Sequence, residues 1–383
     1  MRAGQGIIVI SITLLMLGVI MVNSAGMRVS TGDSPMLQEI LLSRPTMLAL
    51  FAMAAMYFGG RFPLRWLERR VLRIPLILWL VPISVLLLIA VYVPGIGKEV
   101  NNANRWVDIG GFAFQPSEVV KWAMVLVVAW WGATHLEQMK LYCKGFLPPI
   151  AIAVAVTAMI AVEDLGTAVL IFTTACVVFF AAGSRMLHFA SFLPVVLGGF
   201  MLAIYTSPYR IARLQTYLHP FDDPERSGYH ILQSMSTISS GGLSGLGLGN
   251  GTHKFGYLPE DTTDFIFSVI CEELGIFGAI AVVSLFVGLV TMGVIVIHKT
   301  KDRFKRLLVL GIITTIGLQA AMNILVVTAL IPTKGIALPL LSNGGTGWLL
   351  TAFCIGLVDA IDRKNNSSTT FQKHRFQIAT THA

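Results

Sequence analysis

Ten runs of apolar residues, most of them about as long as a bilayer-spanning helix, divide the chain from end to end. A helix needs about 20 predominantly apolar residues to cross the hydrocarbon core of a membrane. Because 55% of the residues are hydrophobic and only 13% are charged, the sequence predicts an all-α, polytopic membrane protein with about ten transmembrane helices. The runs cover residues 6–23, 45–60, 74–94, 118–134, 147–162, 166–182, 187–205, 265–297, 305–330 and 345–361.

The basic residues fall mainly on one side of these runs. If the N-terminus is cytoplasmic, eighteen of the 28 Lys and Arg lie in inside segments and nine in outside segments. This bias satisfies the positive-inside rule and predicts that both termini are cytoplasmic. The net charge of +8 therefore indicates membrane topology and not nucleic-acid binding. We expect the first run to be a retained helix, with a cleaved signal peptide as the alternative.

Residues 1–362 are predicted to form one transmembrane domain, and residues 363–383 a cytoplasmic tail without stable structure. One connection, residues 206–264 between the seventh and eighth runs, is much longer than the others and is predicted to lie outside. Long connections usually carry function or are disordered. Chemistry is therefore expected at the outer face.

Asp264 ends this long connection, directly before the eighth run. Thr262 and Thr263 are expected to be N-caps, and a carboxylate at a helix N-terminus is stabilised by the helix dipole. Asp264 is thus either a structural partner of the helix or a general base that accepts a proton from an attacking hydroxyl. Glu260 and Asp261 could raise the pKa of Asp264, hold a divalent cation, or be solvated.

Glu118 and Lys121 stand three residues apart at the start of the fourth run, after the N-cap candidate Ser117. This spacing lets the two side chains meet on a helix. Charged residues inside a membrane bundle are usually paired, and they serve structure or a polar path. The pair is therefore either a structural ion pair or part of a substrate cavity.

Four further charged residues lie in connections that are predicted to be outside. Arg210 and Arg213 are spaced for one helical face and could bind phosphate or phospholipid headgroups. Lys334 is a phosphate partner or an interfacial anchor. Asp164 is expected mainly to cap the helix that follows it.

Four separated segments, in order and along nearly all of the chain, resemble the SEDS family of cell-wall glycosyltransferases. The match is carried by Asn104-Arg105-Trp106 with Gln115–Lys121, by Asp164–Thr167, by Gly228–Phe267 with its glycine run and Thr263-Asp264-Phe265, and by Pro332-Thr333-Lys334-Gly335 with Ser342–Gly345. The Pro-Thr-Lys-Gly string looks more like the division branch than the elongation branch.

The chain departs from the family pattern at three places. Val162-Glu163 stands where Gln-Pro is usual, Asp261-Thr262 where Ala-His is usual, and Ser342-Asn343-Gly344-Gly345-Thr346-Gly347 where Ser-Tyr-Gly-Gly-Ser-Ser is common. These departures bear on substrate contacts and leave the aspartate of Thr-Asp-Phe in place.

The resemblance implies a peptidoglycan glycosyltransferase of the bacterial inner membrane that polymerises lipid II at the outer face, in septal synthesis. It implies that Asp264 is catalytic and that a class B penicillin-binding transpeptidase and other division proteins are partners. No nucleotide cofactor is expected, and Mg²⁺ or Mn²⁺ is the alternative to a reaction without cofactor. A lipid II flippase and a non-enzymatic division scaffold are the rival hypotheses. The predicted substrate-binding residues are Glu118, Lys121, Asp164, Arg210, Arg213, Glu260 and Lys334.

Overall fold

A computed structural model describes residues 2–26, 42–71, 74–100, 103–224, 228–252, 262–343 and 345–381. Helices dominate this part of the chain, which confirms the predicted class, and each of the ten apolar runs overlaps one of them. The α-helices are α1 (Ala3–Ala25), α2 (Arg44–Gly59), α3 (Leu80–Ala90), α4 (Pro116–Thr134), α5 (Leu147–Glu163), α6 (Leu165–Ala181), α7 (Met186–Tyr205), α8 (Pro208–Leu218), α9 (Tyr229–Ser240), α10 (Ile266–Lys299), α11 (Arg303–Val327) and α12 (Thr346–Thr381).

Five helical segments of the described chain are long and apolar enough to cross a membrane. They are Ala3–Ala25, Tyr142–Glu163, Met186–Tyr205, Ile266–Lys299 and Arg303–Val327. Shorter apolar helices cover Leu76–Ala90 and Leu165–Ala181. The chain is therefore a multi-pass membrane protein, and the number of ten spans stays a prediction.

Helices α4, α6 and α11 pack against one another at the centre of the bundle, and α10 packs against α1 and α11. Close approach is possible where side chains are small: a Cβ on Gly311 of α11 would lie 2.7 Å from Val125 Cγ1 of α4. α7 is peripheral, with 6% of its apolar stretch buried within the protein against 56% for α11. The polar residues discussed below are therefore carried mainly by the central helices.

A small sheet between α3 and α4 was not predicted. Strands β3 (Gly97–Val100), β4 (Ala103–Ile109) and β5 (Phe112–Phe114) form an antiparallel sheet in that order, and a two-stranded ribbon, β1 (Arg70–Val71) and β2 (Ile74–Pro75), precedes α3. Gly110 and Gly111 join β4 to β5 with φ values of 63° and 89°. A two-residue hairpin turn of this kind needs positive φ, which glycine adopts without strain. The sheet places Asn104 and Arg105 over the ends of the helices.

α10 is broken at Gly275, whose φ of 65° and ψ of −162° are not helical. The break leaves the carbonyls of Glu272 and Glu273 to accept from the backbone N–H groups of Leu246 and Gly247, at 2.9 and 3.0 Å. A Cβ on Gly275 would lie 2.4 Å from the Gly245 nitrogen. The glycine-rich segment 241–249 thus packs closely against the broken helix. It holds the first part of α10, which begins just after Asp264.

The long connection between α7 and α10 contains α8 and α9, so much of it is structured. Residues 253–261, which include Glu260 and Asp261, lie outside the described residues. At the other terminus the backbone of α12 continues as a helix through 363–381. The start of this C-terminal stretch is held against the rest of the protein, because Asn365 Nδ2 donates to Thr300 Oγ1 at 2.9 Å. The division into a domain and a tail stays a prediction.

Candidate active site

Several connections meet at one end of the bundle. We call this the Asp264 end and define it as residues 92–100, 103–118, 161–167, 203–213, 262–266, 328–343 and 345. Backbone contacts join its parts: Asn343 N donates to the Thr262 carbonyl at 2.9 Å, and Arg213 Nη1 to the Thr333 carbonyl at 3.0 Å. The charge pattern of the sequence predicts that this end lies outside.

Asp264 lies in a turn that precedes α10. The N-cap of α10 is Phe265, and no side chain caps it. The prediction that Thr262 and Thr263 cap this helix is therefore wrong, because the turn separates them from its first residue. The Asp264 carbonyl accepts from Asn323 Nδ2 at 2.8 Å, and the side chain is half-buried.

The Asp264 carboxylate and a guanidinium lie close together beside Gly335. A Cβ on Gly335 would lie 2.9 Å from Asp264 Oδ2 and 3.8 Å from Arg105 Nη1. Both groups therefore border the same glycine, which has no side chain to separate them. Asn323 also donates to the Ile336 carbonyl at 2.7 Å, so α11 holds the Asp264 turn and the Gly335 segment together.

Arg105 belongs to β4 and is fixed at the end of α5. Its Nη2 donates to the Glu163 carbonyl at 2.5 Å, and its Nε is buried with no hydrogen-bond partner among the described residues. Arg105 was not among the predicted site residues. Its place in the Asn104-Arg105-Trp106 motif was the signal that could have found it.

Glu118 and Lys121 form the predicted ion pair, at 2.8 Å, with side chains 15% and 1% exposed. Lys121 Nζ also donates to Gln319 Oε1 at 2.9 Å, and Gln319 Nε2 donates to the Ala337 carbonyl at 2.8 Å. The N-cap of α4 is Gln115, followed by Pro116 at the first helical position, so the prediction of Ser117 as N-cap is wrong. Proline suits that position because the first N–H of a helix has no intrahelical partner.

Gln319 and Asn323 of α11 were also missed. They lie four residues apart and so on one helical face. From there they reach the Lys121 pair and the Asp264 turn respectively. Two amides at this spacing in an apolar span were a usable signal, since polar residues in such helices usually face the bundle interior.

Asp164 is the N-cap of α6, as predicted. Its carboxylate accepts from Thr167 N at 3.0 Å and from Thr167 Oγ1 at 2.7 Å. Lys334 lies near it, half-buried in the connection between α11 and α12. Burial lowers the pKa of Lys334 most; the Asp164 carboxylate opposes that shift and the Arg210 guanidinium adds to it.

Arg210 and Arg213 share α8, as their spacing predicted. Arg210 donates to the carbonyls of Ala161, Val162 and Ala203 at 2.5, 2.7 and 2.7 Å. It therefore joins the C-terminal ends of α5 and α7, where a cation is favourable. Arg213 lies 4.6 Å from the centroid of the Tyr209 ring. These contacts favour a structural role for Arg210, and a phosphate contact stays a prediction for both residues.

A small crevice lies next to Arg105. Leu88 of α3, Val91 directly after α3 and Met159 of α5 are among its apolar lining residues, and its polar lining includes Ser117 and Asp164. Among the described residues no three or more His, Cys, Asp or Glu side chains form a group that could hold a metal ion. The divalent-cation hypothesis involves Glu260 and Asp261, which lie outside the described residues, and it stays a prediction.

The fold and this site define a class: a helical, multi-pass membrane protein with acidic and basic side chains gathered at one end of the bundle. A model of the cell cycle protein family FtsW/RodA/SpoVE matches residues 5–367. The chain belongs to this family, and the resemblance inferred from its motifs is confirmed.

Two relatives illustrate the similarity in sequence. The "Probable peptidoglycan glycosyltransferase FtsW" of Geobacter metallireducens is 36% identical over 357 residues, which cover 92% of each chain. Stage V sporulation protein E of Bacillus subtilis is 38% identical over 285 residues, 74% of this chain and 78% of the relative.

Two solved structures are similar in fold. A chain from a study of the structural coordination of polymerization and crosslinking by a peptidoglycan synthase complex has a TM-score of 0.74 and 25% identity, covering 94% of this chain and 98% of that chain. The rod shape determining protein RodA of Thermus thermophilus has a TM-score of 0.62 and 23% identity, covering 94% of this chain and 96% of that chain.

Proposed function

We propose that this protein is a peptidoglycan glycosyltransferase that polymerises lipid II at the outer face of the bacterial inner membrane, in septal synthesis. Membership of the FtsW/RodA/SpoVE family and relatives named as probable peptidoglycan glycosyltransferases support this function. The observation that carries it is the half-buried Asp264 carboxylate, which borders Gly335 beside the Arg105 guanidinium. A carboxylate and a cation in this arrangement suit glycosyl transfer from a pyrophosphate.

In the proposed reaction Asp264 accepts the proton of an acceptor sugar hydroxyl as its oxygen attacks the anomeric carbon of the donor. The new C–O bond forms while the bond from that carbon to the lipid pyrophosphate breaks. The leaving pyrophosphate takes the electron pair, and cations placed near it stabilise the developing charge. Arg105 and Lys334 are the proposed cations, and Asp264 later returns its proton to water.

The other predicted residues support this reaction from around it. The pair of Glu118 and Lys121 links α4 to α11 through Gln319, and the Asp164 carboxylate favours the charged form of Lys334. A direct substrate contact by Glu118, Lys121, Arg210, Arg213 or Asp164 remains part of the proposal. Glu260 enters only as a predicted neighbour of Asp264, and a Mg²⁺ or Mn²⁺ requirement is left to measurement.

A class B penicillin-binding transpeptidase is the proposed partner. A similar chain belongs to a synthase complex that coordinates polymerization with crosslinking, and crosslinking is the step that a transpeptidase performs. We propose that both termini are cytoplasmic, which follows from the distribution of Lys and Arg.

The test is polymerisation of purified lipid II by the purified protein with its partner, followed on a glycan gel. Asp264→Asn and Asp264→Ala are compared with the wild type and with Asp222→Asn, which alters an exposed carboxylate in the connection after α8. We expect polymer from the wild type and Asp222→Asn only. Equal polymer from the Asp264 variants would overturn the assignment.

The position of the charged pair also bears on the rival flippase hypothesis. A transporter is expected to hold its ionisable groups near the bilayer midplane, whereas Glu118 lies in the first turn of α4, at the Asp264 end. Transfer of labelled lipid II across vesicles without any polymer product would favour the flippase.

A further inference from the structure

Glu163 is the last residue of α5 and occupies a position where this chain departs from the usual family pattern. Its carboxylate joins two other elements. Oε1 accepts at 3.1 Å from the hydroxyl of Tyr92, a residue just after α3. Oε2 accepts from the backbone N–H of Asn104, at the start of β4, at 3.0 Å. One side chain thus ties the ends of α3 and α5 to the sheet.

The charge of Glu163 is unfavourable for its helix taken alone. The C-terminus of a helix carries partial negative charge, so a carboxylate there is repelled. Two guanidinium groups offset this repulsion. Arg105 donates to the Glu163 carbonyl, and Arg210 donates to the carbonyls of Ala161 and Val162. The Glu163 carboxylate therefore lies where the dipole of α5 alone would not favour it.

The contacts of Glu163 bear directly on Arg105. Asn104 and Arg105 are adjacent, so the side chain of Glu163 holds one residue of β4 and its carbonyl holds the next. Arg105 then reaches the point beside Gly335 that Asp264 also borders. A shift at the start of β4 would move the guanidinium away from that point.

We propose that Glu163 is a positioning residue that sets the Arg105 guanidinium beside Asp264, and this inference rests on the proposed glycosyltransferase function. Glu163 does so by fixing the start of β4 against α5. Misplacement of a group near the reacting atoms by about 1 Å can cost on the order of 100-fold in rate. The residue acts through Arg105 and needs no contact with substrate.

The test is a double-mutant cycle on the rate of lipid II polymerisation. Glu163→Ala, Arg105→Ala and the double variant are compared with the wild type. We expect Glu163→Ala to lower kcat/KM by roughly 10- to 100-fold in the wild-type background and by less than about twofold in the Arg105→Ala background. Equal losses in both backgrounds would show that Glu163 does not act through Arg105 and would overturn the inference.

Two controls separate positioning from general structure. Glu99→Gln changes an exposed carboxylate on β3, paired in register with Asn104, and is expected to leave the rate unchanged. Glu163→Gln keeps one side-chain oxygen acceptor and is expected to restore part of the rate lost in Glu163→Ala. A thermal unfolding midpoint that falls in proportion to activity, with no rescue by glutamine, would contradict positioning.

The cycle also separates this inference from the function on which it rests. Polymer that requires Asp264, together with additive losses for Glu163 and Arg105, would overturn the positioning role alone. Absence of any Asp264-dependent polymer from the wild type would overturn both.

Discussion

Two carboxylates at the Asp264 end are held in opposite ways. Glu118 lies within a helix and pairs at 2.8 Å with Lys121, which is 1% exposed. Asp264 lies in a turn before a helix; its carbonyl is held by Asn323, and its half-buried side chain borders Gly335. From one face of α11, Gln319 accepts from Lys121 and Asn323 donates to the Asp264 carbonyl. The charge of Glu118 is thus neutralised by a buried cation, whereas the carboxylate in the turn stays partly exposed, as the proposed proton transfer requires.

The largest expected effect on stability is at the buried pair. Lys121→Ala should destabilise the protein by about 3–5 kcal/mol, because it leaves Glu118 charged without its cation. The double variant Glu118→Gln/Lys121→Met should recover most of this loss, since it removes both charges at similar volume. Unfolding midpoints in detergent measure both variants. A double variant as unstable as Lys121→Ala would contradict the ion-pair account.

The next effect is on activity, at the two glycines that contact the two carboxylates. Gly335→Ala would place a Cβ 2.9 Å from Asp264 Oδ2, whereas Gly347→Ala would place one 3.2 Å from Glu118 Oε2. The first must displace the carboxylate, so we expect a loss of about 10- to 100-fold in polymerisation rate. The second should cost much less, because it perturbs a structural pair. Equal losses would remove the distinction between the two carboxylates.

A smaller effect is expected in the pH profile. Lysine is charged below its pKa, and the pKa of Lys334 is lowered chiefly by burial. The cation is therefore lost at a lower pH than in a free lysine, and activity should fall as the pH rises through that lowered value. Lys334→Arg should shift this alkaline fall in activity to higher pH, because arginine stays protonated. An unchanged pH profile would exclude Lys334 as the titrating group.

The smallest effect on activity is predicted for Arg210. Arg210→Ala removes donors to carbonyls of α5 and α7, which should lower stability by about 1–3 kcal/mol. KM for lipid II should change by less than about twofold if the guanidinium serves the helix ends alone. A much larger rise in KM with unchanged stability would instead support the phosphate contact that the sequence predicted.

Local patterns predicted much of this structure. Apolar runs located the helices, the spacing of Glu118 and Lys121 predicted their pairing, and Asp164 caps α6 as expected. Each of these features depends on neighbours within a few residues along the chain.

Features that depend on distant segments were not predictable in the same way. Gly335 borders Asp264 and Arg105 only because three connections converge. The sequence suggested phosphate or phospholipid headgroups as partners of Arg210. It could not predict the carbonyl partners in α5 and α7, because sequence spacing does not show which helix ends meet. The N-caps at Ser117 and Thr262 were wrong because each helix begins at a different residue than propensity suggested.

Steady-state kinetics of Asp264→Asn test the central claim most directly. Asparagine keeps the size of the side chain but cannot accept the proton, so kcat should fall by about 10²- to 10⁴-fold with KM for lipid II nearly unchanged. An unchanged kcat, or a loss confined to KM, would show that this carboxylate does not take the proton and would contradict the account.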